Sequence, residues 1–133
     1  MAKFTWDHLQ LRSPEPELTA SWFERCMNAE IIRKPGKVDI RLAGIDIFIA
    51  PVMAGDGVAP PPTPPYQGLD HFGLTVDNLD EIAAELKSKG VEFTQEPKVL
   101  RPGVRGCFIR GPQNISIEIL ERRLQEMDSP AQQ

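Results

Sequence analysis

Two histidines are all this chain has, and each follows an aspartate in a repeated stretch: Trp6-Asp7-His8-Leu9-Gln10-Leu11 and Leu69-Asp70-His71-Phe72-Gly73-Leu74. Both copies alternate like a strand and lead into a helix signal, so a supersecondary unit is repeated rather than a chance peptide. If the units pair, the two imidazoles can face each other. Near the C-terminus, Asn114-Ile115-Ser116-Ile117-Glu118-Ile119 alternates with its isoleucines on one side and Ser116, Glu118 and Leu120 on the other. The isoleucines must meet the helices, which leaves Glu118 on the opposite, concave face. A carboxylate there is expensive unless a cation or hydrogen-bond donors meet it. In the second Asp-His strand Phe72, Leu74 and Val76 take the helix side and leave His71 with Gly73 and Thr75 on the face of Glu118. Two imidazoles and one carboxylate on adjacent rigid strands form a ligand set for one divalent first-row metal with positions left for a substrate. The symmetric placement of His8 and His71 favours ligation over a hydrogen-bonded core or surface histidine, and Glu118 gains its weight from sharing their face.

Something must hold those strands. The 133 residues, 41% hydrophobic and 26% charged, fit one ordinary domain with its own core. A formal charge of −4 with both signs interspersed gives no electropositive stripe, so neither a nucleic acid nor an anionic membrane surface is expected as partner. A small-molecule substrate is. The N-terminus lacks the apolar core of a signal peptide and no stretch approaches membrane-spanning length, which points to the cytoplasm. Cys26 and Cys107 lack the close spacing of a zinc site and read as buried, unpaired thiols.

Along the chain, Phe4 to Leu11 reads as a first strand with Phe4, Trp6, His8 and Gln10 on one face. Ser13 as a capping serine, with Pro14, Glu15, Pro16 and Glu17, opens a helix whose Leu18, Trp22, Cys26 and Ala29 recur at helical spacing, ending near Asn28. Pro35-Gly36 is a turn, and Val38 to Leu42 with Ile45 to Ile49 makes a hairpin around Ala43-Gly44. Module one, about residues 4–50, therefore reads strand, helix and three strands. Residues 51–68, with Pro60-Pro61-Pro62-Thr63-Pro64-Pro65, form an extended linker. Module two, about 69–121, repeats the order. Its strand Asp70 to Val76 precedes a helix from Asn78 with Leu79, Ile82, Ala83 and Leu86 on one stripe, stopped by Gly90. Strands over Val91 to Gln95, Arg105 to Arg110 and Ile115 to Leu120 follow, the last after the turn at Gly111 to Asn114. The tail, 122–133, should fray.

This combination of the doubled module, the paired Asp-His motifs and the Ile-Glu-Ile strand resembles the vicinal oxygen chelate superfamily of glyoxalases, extradiol dioxygenases, epimerases and bleomycin-resistance proteins. The resemblance covers almost the whole chain. It implies an α+β fold of two βαβββ modules forming a curved mixed sheet around a metal-binding cleft, helices on the convex side. It also implies His8, His71 and Glu118 as ligands to one divalent transition metal ion: iron, manganese, cobalt, nickel or zinc.

Glyoxalase-like and epimerase-like relatives usually add a fourth ligand, Glu or Gln, on the last strand of the first module. Aligning Gly44 to Ile49 with Asn114 to Ile119 puts Phe48 at that place, and phenylalanine binds no metal. Asp46, one pair earlier on the same face, is the nearby carboxylate for the catalytic proton or for supporting the site. Asp7 and Asp70, on the other face, read as structural, bonding backbone at the start of the helix. Trp6, Phe48 and the linker's Tyr66 are the candidate substrate pocket. The leading expectation is a metal-dependent lyase, isomerase or epimerase that stabilises an oxyanion on a small oxygen-chelating substrate. The three-ligand count also suits an extradiol-type iron dioxygenase, although the acid/base histidine or tyrosine of that group has no match outside Tyr66. A metal-free binding protein of the bleomycin-resistance kind would not need the ligand set intact. The linker permits modules paired within one chain or across a two-fold axis, and a homodimer is expected.

Overall fold

The computed structural model describes residues 3–123, so the expected fraying of the tail beyond 123 lies outside the described residues. The elements run β1 (His8–Ser13), α1 (Pro16–Met27), β2 (Glu30–Lys34), β3 (Lys37–Leu42), β4 (Ile45–Pro51), β5 (Phe72–Thr75), α2 (Leu79–Ser88), β6 (Glu92–Arg101), β7 (Val104–Arg110) and β8 (Ser116–Arg122). The chain divides into two compact units between Pro60 and Pro61, inside the proline-rich stretch. Each holds one βαβββ module with its own four-stranded mixed sheet, ordered β1-β4-β3-β2 in the first unit and β5-β8-β7-β6 in the second. In both, the strand that starts at or just after the histidine of the Asp-His motif runs parallel to the last strand of its module, and the remaining pairs are antiparallel. Among the described residues no helix is long and apolar enough to cross a membrane.

Local chemistry explains where the helices begin and end. The N-cap of α1 is Glu15, with Pro16 supplying the pre-set φ of the first turn. Ser13 is not the cap expected. Its hydroxyl instead accepts the Glu15 N–H at 3.0 Å and meets Thr19 Oγ1 at 2.8 Å, so both hydroxyls are satisfied inside the core. Asn28 ends the helix in the left-handed conformation at φ 57°. Asn78 caps α2 by accepting the Glu81 N–H at 3.1 Å, and the buried Glu121 of β8 accepts the Leu79 N–H at 3.0 Å, tying the helix start to the sheet.

Three expectations need correction. The first strand begins at His8 rather than Phe4, because pairing with β4 starts at His8 opposite Asp46 and residues 4–7 have no ladder partner in the unit. The buried face of α1 is Thr19, Ala20, Phe23 and Cys26, while Leu18 is exposed and Trp22 half-buried. A threonine closes that face through its bond to Ser13, which a purely apolar stripe does not register. Finally, β6 runs to Arg101 rather than stopping at Gln95. It is an edge strand, where Pro97 has no ladder partner, and register shifts on either side of Gln95 and after Val99 absorb the irregularity. Cys26 and Cys107 are both buried, as expected, and neither forms a disulfide among the described residues; burial pushes the Cys107 thiol up to about 11.

Candidate functional site

In the second unit β5 and β8 set Gly73 opposite Glu118, so His71, just before β5, reaches the same carboxylate. Its Nε2 lies 3.3 Å from Glu118 Oε1. The other ring nitrogen, Nδ1, is 2.7 Å from Asp70 Oδ2. A carboxylate can only accept, so Nδ1 donates to Asp70, and Nε2 faces Glu118 with a lone pair in the neutral ring and with an N–H in the imidazolium. In the neutral ring Nε2 and Oε1 are two acceptors 3.3 Å apart, a pair that either a proton or a metal cation bridges. The side chains are 31% and 18% exposed, sheltered yet reachable. Phe108 packs edge-on against the imidazole, centroids 4.9 Å apart, and fixes the ring from the side. Glycine at 73 keeps the flank of the carboxylate open; a Cβ there would sit 3.6 Å from Oε1. These residues fit a divalent metal: an imidazole with its second nitrogen fixed by a carboxylate, beside a carboxylate oxygen.

The first unit repeats the frame with one exchange. His8 stands opposite Asp46, and Gln10 opposite Phe48, so Phe48 holds the register place that Glu118 holds in the second unit. His8 Nδ1 is 2.6 Å from Asp7 Oδ2, as His71 is from Asp70. Its ring, however, stacks on Phe48 with centroids 4.2 Å apart and planes inclined by 22°. Asp46 accepts from Arg41 Nε at 2.8 Å, and that guanidinium holds its carboxyl below the usual carboxylate range. The exchange extends one strand further. Opposite Glu118 on β7 stands Phe108, whereas opposite Phe48 on β3 stands the buried Asp39. Carboxylate and phenyl have traded strands between the two modules.

Within its own unit, then, Glu118 lies on β8, His8 opens β1 and His71 stands just before β5; His71 meets Glu118, and His8 lies against Phe48 and opposite Asp46. Among the described residues no group of three or more His, Cys, Asp or Glu side chains is gathered that could hold a metal. Trp6 is 75% exposed ahead of β1, Phe48 is half-buried against His8, and Tyr66 is 41% exposed in the proline-rich stretch. Two roles escaped the sequence reading. Asp7 and Asp70 do not bond backbone at the start of a helix; each turns back onto its neighbouring imidazole, and the repeated Asp-His dipeptide was the available signal. Asp39 was missed as well, although a lone acid between Val38 and Ile40 in an apolar strand marks a carboxylate needing a partner.

Residues 5–119 match the family described as the Glyoxalase/Bleomycin resistance protein/Dioxygenase superfamily. No curated protein sequence matches the chain. Among solved structures it is similar to FosX, a genomically encoded fosfomycin resistance protein of Listeria monocytogenes, at 20% identity and TM-score 0.71 over 94% of this chain and 98% of that one. A second FosX structure, complexed with Mn(II) and sulfate ion, gives 21% identity and TM-score 0.67 over 95% of each chain. A glyoxalase/bleomycin resistance protein/dioxygenase from Nocardioides gives 18% identity and TM-score 0.68 over 92% of this chain and 85% of that one. Likeness at these identities concerns the fold.

Proposed function

The chain belongs to the Glyoxalase/Bleomycin resistance protein/Dioxygenase superfamily, and from that premise we propose that it is a metal-dependent isomerase, lyase or epimerase whose ligands to one divalent transition-metal ion are His8, His71 and Glu118. The observation that carries this is the convergence of His71 Nε2 and Glu118 Oε1, 3.3 Å apart, with Asp70 fixing the other ring nitrogen. His8 carries the same support from Asp7 and would be the third ligand, supplied by its own chain or by a second copy. That FosX has been obtained with Mn(II) is in keeping with a first-row metal.

When bound, such an ion supplies charge to stabilise an oxyanion on a chelating substrate. The remaining work belongs to the chain. Asp7 and Asp70 hold the imidazoles in the tautomer that leaves Nε2 free. Asp46, kept ionised by Arg41, is the carboxylate assigned to accept the proton, with its proton affinity lowered by that same pair. Trp6, Phe48 and Tyr66 are the residues assigned to the substrate pocket, Trp6 and Phe48 offering apolar surface to the substrate body. A homodimer in the cytoplasm is the proposed setting.

A second reading has its own support. Phe48 in the register place of Glu118 removes the usual fourth ligand, and a set of two histidines and one carboxylate suits an iron-dependent oxygenase. The two separate in one experiment. Metal-reconstituted protein is incubated in D2O with a panel of small α-hydroxy and α-keto compounds, and NMR follows deuterium entering the carbon next to the carbonyl. Metal-dependent exchange that disappears in Glu118→Ala supports the proposal. Oxygen uptake with catechols and no exchange would transfer the assignment to the oxygenase, and tight ligand binding without metal would make the chain a binding protein.

A further inference from the structure

Strand register gives each sheet an equivalent row of polar residues. In the first unit His8 stands opposite Asp46 on β4, Asp46 opposite Arg41 on β3, and Arg41 opposite Glu30 on β2. In the second unit Ser116 on β8 stands opposite Arg110 on β7, and Arg110 opposite Glu92 on β6. His71 immediately precedes Phe72, whose partner is Ile117, just as Ser116 immediately precedes Ile117. The rows therefore read His, Asp, Arg, Glu and His, Ser, Arg, Glu, and the single exchange removes a carboxylate. Directly opposed residues share a face, as do alternate residues of one strand, so Arg110 and Ser116 lie on the face of Glu118.

The first row shows what the arginine does when the acid is present. Arg41 Nε donates to Asp46 Oδ1 at 2.8 Å, whereas Glu30, although opposite, acts on Arg41 only through longer-range charge. In the second row Glu92 likewise forms no ion pair with its arginine, and Glu118, two residues along β8 from Ser116, is turned to His71. Among the described residues Arg110 stands in no ion pair. Its Nη1 donates to the Asn114 carbonyl at 3.2 Å, which fastens the guanidinium at the turn between β7 and β8 and leaves Nε and Nη2 without a hydrogen-bond partner among the described residues. Arg110 and Ser116 are both half-buried. A guanidinium presents its N–H donors as a fork that fits a carboxylate, and beside it Ser116 adds a hydroxyl that can donate.

We propose that Arg110, with Ser116 beside it, receives the carboxylate of an organic-acid substrate, which takes on the second sheet the place that the Asp46 side chain fills on the first. The inference names a substrate class for the centre at His71 and Glu118 and in that respect rests on the function proposed above. The carboxylate contact itself uses no metal. It explains why the same arginine is kept in both rows while its acid is present in only one: a charge-assisted pair that is internal in the first unit is left for a ligand to complete in the second.

The test titrates metal-free full-length protein with sodium benzoate and, in parallel, with benzamide, its neutral counterpart, while backbone amide and arginine side-chain NMR signals are followed. Saturable shifts centred on residues 108–118 are expected with benzoate and not with benzamide. Arg110→Gln should weaken benzoate binding about tenfold, the scale of a lost charge-assisted hydrogen bond. Ser116→Asp copies the first row, so it should engage Arg110 from within the chain and weaken benzoate to a similar degree, with melting midpoints recorded to show that each variant is folded. No saturable shift with benzoate, equal shifts with benzamide, or wild-type affinity in either folded variant overturns the proposal. Metal affinity of the wild type reports separately on His71 and Glu118: benzoate binding that depends on Arg110 in a protein that takes no metal would keep this site and refute the metal centre, and metal binding without benzoate binding would do the reverse.

Discussion

Replacing Asp70 by asparagine tests whether the imidazoles are prepared for a metal or merely surrounded. The carboxylate lies 2.7 Å from His71 Nδ1 and makes no other hydrogen bond described in the structure. Asparagine keeps an oxygen that can accept the same N–H but loses the charge, leaving a neutral hydrogen bond of about half the strength. Removing the group that orients a metal-bound histidine lowers affinity by about 10- to 100-fold. Asp70 is 66% exposed, so solvent already screens much of its charge. The expected loss is therefore at the lower end, about tenfold or about 1.4 kcal/mol in binding. Asp70→Ala, which frees the ring to adopt either tautomer, should lose more. Stability should move little, because an exposed pair of this kind contributes about 0–1 kcal/mol. Competition against a fluorescent chelator at neutral pH gives the affinity, and thermal melting of the same samples gives the control. Wild-type affinity in Asp70→Ala would refute the reasoning and reduce the Asp-His bond to a surface contact.

Other consequences concern the frame around the site. Glu121→Ala should destabilise the protein by about 2 kcal/mol in urea unfolding, since it leaves the buried Leu79 N–H without its acceptor and removes a carboxylate beside Arg105 and Arg123. Gly106→Ala should cost about 1–3 kcal/mol in the same assay: its Cβ would fall 2.8 Å from Leu100 Cδ1, 2.9 Å from Leu120 Cδ2 and 3.3 Å from the Ile119 carbonyl. Cys107, with its thiol raised to about 11 by burial, should resist a thiol reagent at pH 8 and react once denaturant is added. Because the folded state holds that proton more tightly than the unfolded chain, stability should be unaffected below the ordinary thiol value and decline as pH rises from about 9 towards 11, read from melting midpoints.

The sequence was most legible where the physics is local and repeated. Two Asp-His dipeptides at matching places, each starting the same order of elements, identify the modules and the ligand candidates from the sequence alone. Strict alternation through Ile45–Ile49 and Ile115–Ile119 was enough to place Phe48 where Glu118 stands in its own sheet. Roles set by tertiary partners were harder to see. Whether Asp70 bonds backbone or imidazole depends on a side-chain torsion, and periodicity reports only its face. Asp39 could be read as polar, but its burial depends on Lys37 and Ile49 closing around it. The buried face of α1 was displaced for a similar reason, since Thr19 is made acceptable in the core by Ser13, six residues earlier. Strand length in β6 followed from its place at the sheet edge, which is a property of topology rather than of the segment.

Metal content tests the central claim most directly. Elemental analysis of protein purified without chelator or histidine tag, beside His71→Ala and Glu118→Ala with melting midpoints recorded, should find about one transition-metal ion per chain in the wild type and little in either variant. Absence of metal in the wild type after reconstitution with iron, manganese, cobalt, nickel and zinc, or equal metal in all three proteins, would contradict the account.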